Sequence, residues 1–111
     1  MASIPETDLA RIARYCETRV PARLRNEARV EMVVRGRSVT IYDCRPPWHP
    51  NSTVWSRARV AQFRYDPSSQ LWSVYYADRN GRWHPYLNTE PGTAAHLLEA
   101  ISADATGIFW G

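Results

Sequence analysis

The residues of this chain best suited to chemistry are its cations and its rings. All 14 basic residues are Arg, and none is Lys. A guanidinium forks onto phosphate and lies flat on aromatic rings, which an ammonium does less well. In the stretch Val54–Tyr65, one alternating set is Trp55, Arg57, Arg59, Ala61, Phe63 and Tyr65. The other set is Val54, Ser56, Ala58, Val60, Gln62 and Arg64. On a β-strand each set shares one face. A sheet face that mixes rings with guanidinium groups can stack bases and hold phosphates. The competing use is structural, with the rings filling the core and the Arg stems lying across them.

The charge is unevenly spread. Residues 11–64 carry twelve Arg against Glu17, Glu27, Glu31 and Asp43. Residues 65–111 carry Arg79 and Arg82 against five carboxylates, and the first ten residues add Glu6 and Asp8. A basic half favours a polyanionic partner, because clustered cations displace the counterions of phosphates. An Ala- and Arg-rich chain without Lys is also what a GC-rich genome encodes, so a merely solvated basic face stays open. The candidate nucleic-acid-binding residues are Arg35, Arg37, Trp55, Arg57, Arg59 and Arg64.

Metal and catalytic chemistry have less support. Cys16, Cys44, His49, His84 and His96 are the soft ligands, and no Cys-x-x-Cys or His-x-x-x-His pair stands among them. That spacing predicts no metal site and no cofactor. Cys16 falls on an apolar helical stripe and reads as a buried thiol. Asp43 and Asp78 are candidate carboxylates, and His49 and His84 candidate bases for a small enzyme. The chain has no Gly-x-Ser-x-Gly and no phosphate-cradling glycine loop.

A third feature is the run Arg45-Pro46-Pro47-Trp48-His49-Pro50. Its prolines remove backbone donors, so it must be a loop. Two successive prolines stiffen it and can hold Trp48 in one orientation. Arg45, Pro46, Pro47 and Trp48 are therefore a candidate interaction loop.

The elements that must position these groups follow from periodicity and punctuation. Ser3-Ile4-Pro5-Glu6 reads as a helix start with Ser3 as cap and Pro5 in the first turn. Leu9, Ile12, Ala13 and Cys16 form its apolar stripe, and Val20-Pro21 ends it. Residues 22–28 suit a short turn. Arg29–Arg35 and Ser38–Cys44 read as a hairpin about Gly36. Val54–Tyr65 reads as a third strand and Leu71–Ala77 as a fourth, joined by the turn Asp66-Pro67-Ser68-Ser69. Asn80-Gly81 suggests a type I′ turn into Arg82–Leu87, an edge strand marked by Pro85. Thr93 can cap a second helix to about Ala103, with Leu97, Leu98 and Ile101 inward. The tail Ile108-Phe109-Trp110 is expected to dock rather than fray. The expected fold is α+β: an antiparallel meander of about five strands, flanked by an N-terminal and a C-terminal helix.

Residues 1–111 fit one domain. A chain of this size buries roughly 60–70% of its unfolded surface, enough for one core. With 44% hydrophobic and 12% aromatic residues, wholesale disorder is not expected. The apolar runs are too short to cross a membrane, and the first ten residues show no secretory signal. A cytoplasmic protein is the expectation.

Several of these pieces, taken in order, resemble a known family. They are Arg45-Pro46-Pro47-Trp48, Ala61-Gln62-Phe63-Arg64-Tyr65, Leu71-Trp72-Ser73-Val74-Tyr75-Tyr76, Asp78 through Tyr86, and Asp104 with the terminal Gly107-Ile108-Phe109-Trp110-Gly111. Together they are similar to the bacterial family known as domain of unknown function 3024, from about Val20 to the last residue. The resemblance implies a small stand-alone bacterial protein and supplies no activity, cofactor or catalytic residue. The expected function is that of a non-enzymatic binding domain. Its partner is nucleic acid (RNA or DNA), a ribonucleoprotein or another acidic protein surface, held by the Arg and aromatic sheet face. The alternatives are a protein-interaction or small-ligand module using the Arg-Pro-Pro-Trp loop, and a small enzyme using His49 or His84.

Overall fold

The computed structural model describes residues 3–111. Helix α1 spans Glu6–Arg19, a short 3-10 turn spans Ala22–Leu24, and strands β1 (Arg29–Arg35), β2 (Ser38–Arg45), β3 (Ser56–Asp66), β4 (Leu71–Ala77) and β5 (Trp83–Pro85) follow before helix α2 (Ala94–Ala103). The five strands form one antiparallel sheet in the order β1-β2-β3-β4-β5. The fold is thus the expected α+β meander with a helix at each end. No helix among the described residues is long and apolar enough to cross a membrane.

Both helices press on the same side of the sheet. Ile12 and Cys16 of α1 join Leu97, Leu98 and Ile101 of α2 over Val39, Ile41, Ala61, Phe63, Trp72 and Val74. Trp72 is the largest wholly buried side chain. Its indole N–H donates to the Asp8 carboxylate at 2.9 Å, which ties α1 to β4. Ser102 donates to the Tyr15 hydroxyl at 2.9 Å and ties the helices to each other.

Local chemistry explains most boundaries and corrects some. Helix α1 is not capped by Ser3. Pro5, extended at ψ 132°, precedes the first turn, and its carbonyl accepts the first bonds, from Asp8 and Leu9 N–H. Thr93 caps α2, its hydroxyl accepting from His96 N–H at 3.1 Å. The Asp78–Arg82 turn is not type I′, because Asn80 keeps negative φ. Gly81 N–H instead donates to the Asp78 carbonyl, Asp78 N–H donates to Arg82, and only Gly81 is left-handed, at φ 79°. That is a three-residue loop with a bulge glycine. The returning strand β5 covers only three residues rather than Arg82–Leu87, since Pro85 lacks a donor.

The tail docks in part. Asp104, left-handed at φ 46°, accepts from Phe109 N–H with one carboxylate oxygen and from Trp110 N–H with the other, at 3.0 and 2.9 Å. Phe109 is buried edge-on against Tyr86, and Arg19 lies 4.3 Å above the Trp110 ring. Ile108 stays exposed, against the expectation for the whole tripeptide.

Candidate functional site

The side of the sheet away from the helices carries the basic and aromatic groups, and a β-bulge puts them there. Ile41 pairs with Ala61, but Tyr42 pairs with Arg59, so Val60 is an extra residue in β3. Beyond the bulge, Ala61 and Phe63 point into the core and Gln62 and Arg64 point outward. Before it the parity reverses. Arg57 pairs with Cys44 and Arg59 with Tyr42, on the same face as the pairs Gln62 with Thr40 and Arg64 with Ser38. Simple alternation therefore fails for this strand. Ala61, Phe63 and Tyr65 do not share the face of Arg57 and Arg59, whereas Arg64, assigned to the opposite set, does. Trp55 and Val54 precede the strand, which begins at Ser56.

Rings and guanidinium groups meet on this open face. Arg57 lies 4.1 Å above the Tyr42 ring and Arg64 lies 3.8 Å above Tyr75. Arg29, at the start of β1, lies 4.0 Å above Trp55. Arg64 also donates through Nε to Gln62 at 2.7 Å, and Gln62 donates to the Thr40 hydroxyl at 3.0 Å. Register puts Glu31, Val33 and Arg35 of β1 on the same face. Glu31 accepts from the Cys44 thiol at 3.3 Å, and Asp66, at the end of β3, is a second carboxylate on this face. Among the described residues the ion pairs are Arg45 with Asp43 and His84 with Asp78, so Arg29, Arg35, Arg57, Arg59 and Arg64 have no carboxylate partner there. Arg37 sits in the β1–β2 turn, at the end of the sheet rather than on its face.

The open face is not flat. The β4–β5 turn leans toward β3, and Trp83 with Arg59 forms one wall of a groove of ≈ 270 Å³. Val33 and Arg35 form the other wall, over a floor that includes Ser38, Thr40, Tyr42 and Gln62. Sequence reasoning missed Arg29, Tyr42 and Trp83. Tyr42 was within reach, since alternation along Ser38–Cys44 sets it beside Thr40. Trp83 was not, because its neighbourhood to Arg59 depends on the lean of a turn.

The other candidates fall elsewhere. His84 stacks on Tyr76, and its Nε2 lies 2.8 Å from Asp78 Oδ2. Asp78 Oδ1 accepts from Asn80 and Arg82 N–H. The His84 bond, with these backbone donors, holds the Asp78 carboxyl below its usual range. This is a hairpin tie with its hydrogen-bonding capacity largely used. His49 accepts from Asn51 N–H in the loop, apart from that hairpin. Among the described residues no three His, Cys, Asp or Glu side chains gather as a metal set. Cys16 and Cys44 are free and buried. Burial pushes both thiols up to about 11, helped at Cys44 by Glu31 and opposed there by Arg57.

In the loop, Trp48 is 92% exposed and meets His49 edge-on. Pro46, Pro47, Trp48, Val54 and Trp55 line a second groove of ≈ 300 Å³. Arg45 is turned to Asp43 at 3.3 Å and does not line that groove.

The family model described as Domain of unknown function (DUF3024) matches residues 1–111, and the chain belongs to that family. No curated protein and no solved structure matches it.

Proposed function

We propose that this chain is a binding domain for nucleic acid, RNA or DNA, alone or within a ribonucleoprotein, and that the open face of its sheet is the contact surface. One observation carries the reading. Five guanidinium groups without carboxylate partners share this face with Tyr42, Tyr75, Trp55 and Trp83, against the two carboxylates Glu31 and Asp66. A face used only for solubility mixes charges of both signs. Here five of the 14 Arg outnumber the carboxylates of one face, and rings stand beside them. Phosphates would take the guanidinium groups, and bases would take the rings. The reading goes with a cytoplasmic location.

The test is a fluorescence-anisotropy titration of labelled homopolymer RNA and DNA. Binding that weakens steeply between low and moderate salt supports the reading. No binding at low salt, or tighter capture by an acidic polypeptide than by either nucleic acid, removes it.

The exposed Trp48 and the groove beside it support a second reading, a protein contact through the Arg-Pro-Pro-Trp loop. A Trp48→Ala variant separates the two, because it leaves the open face intact.

A further inference from the structure

We infer that the groove between Arg35 and Trp83 is the seat of one unpaired nucleotide, so that the domain takes single strands in preference to duplex. This rests on the reading of the open face as a nucleic-acid surface and adds to it the class of nucleic acid.

The groove has the parts that such a seat needs. Arg35 and Arg59 stand on its two walls, and no carboxylate lines it. Two guanidinium groups lining one concave site favour an anion within it, since phosphate accepts from guanidinium donors. The β4–β5 turn lies close behind Arg59. One of its guanidinium nitrogens lies 2.9 Å from where a Cβ on residue 81 would stand, and Gly81 supplies none. One side of the guanidinium therefore lies against the turn, while the residue stays exposed. Trp83 lines the same groove and brings an indole to it. Stacking on an indole requires an exposed base face, which a base within a duplex does not offer.

Polar groups on the floor complete the site. The Thr40 hydroxyl accepts from Gln62, which leaves its own hydrogen to donate, and Ser38 and Tyr42 line the same groove. Groups of this kind read the edge of an unstacked base. The remaining cations, Arg57, Arg64 and Arg29, lie outside the groove along the same face. They would track the neighbouring phosphates of a strand that crosses it.

The experiment uses the intact protein with two probes at one salt concentration: a labelled single strand of about ten nucleotides, and the same strand annealed to its complement. The single strand should bind about tenfold or more tightly than the duplex and quench Trp fluorescence. Trp83→Ala should weaken single-strand binding by about tenfold and leave duplex binding unchanged, while Trp83→Phe, which keeps a ring, retains most of the affinity. Circular dichroism of both variants guards against misfolding. Equal binding of the two probes, with Trp83→Phe and Trp83→Ala indifferent, would overturn the seat while leaving the basic face as a polyanion surface. Binding of neither probe at low salt would overturn both.

Discussion

The guanidinium of Arg59 packs against Gly81, with one nitrogen 2.9 Å from the position a Cβ would take. The relationship joins β3 to a turn that begins only after β4, and it sets a charge beside the groove. Gly81 is also left-handed, at φ 79°. Gly81→Ala should cost about 1–3 kcal/mol through backbone strain and displace Arg59. Urea denaturation measures the first effect and oligonucleotide affinity the second. A variant with unchanged affinity would show that Arg59 needs no support from the turn.

The C-terminal tail serves the core through two residues. Phe109→Ala should destabilise the fold by about 3–5 kcal/mol, as expected for a buried aromatic ring. Asp104→Ala should cost about 1–3 kcal/mol, since it removes both acceptors of the Phe109 and Trp110 N–H groups. Ile108→Ala, at an exposed site, should change little. Thermal melts of the three variants would give this order. Equal melting temperatures would mean that the tail is not part of the core.

Much of the fold was legible because its signals are local. Thr93 announces α2, Val20-Pro21 ends α1, and the turn residues separate five strands. What stayed hidden depends on contacts distant in sequence. The Val60 bulge reverses the parity of β3, and no residue type near it signals this, since Val60 and Ala61 suit either face. Arg57 and Arg59 were therefore identified as surface groups while Phe63 and Tyr65 were wrongly set beside them. Trp72, Trp83 and Trp48 are one residue type with three fates, in the core, at a groove and in solvent. Only the packing of strands and loops decides among them.

The Asp78–His84 tie gives a pH signature. The carboxyl of Asp78 is held below its ordinary value in the folded chain. Its contribution to stability is present above the unfolded carboxylate pKa of about 3.9 and is lost as pH falls through the lower folded value. Denaturation midpoints between about pH 6 and pH 3 should fall more for the native chain than for Asp78→Asn. Parallel pH profiles would show that the tie adds no stability.

Both thiols should resist modification. Cys16 and Cys44 are buried, and burial pushes each thiol up to about 11, which leaves almost no thiolate near pH 8. A colorimetric thiol reagent should react slowly with the native protein and rapidly with two groups per chain in denaturant. Rapid native reaction of either would mean that the sheet edge over Cys44 or the α1 packing over Cys16 opens readily.

The most direct measurement of the central claim asks whether binding belongs to one face or to net charge alone. The triple variant Arg57→Ala, Arg59→Ala, Arg64→Ala removes three cations from the open face. A control, Arg11→Ala, Arg14→Ala, Arg23→Ala, removes three exposed cations from α1 and the turn that follows it. The slope of log affinity for a single strand against log salt should fall by about 2 in the first, at about 0.7 for each lost phosphate contact. The control should keep the slope of the native chain. Equal losses of slope in the two variants would contradict the account, because the open face would then be no more than a share of the overall charge.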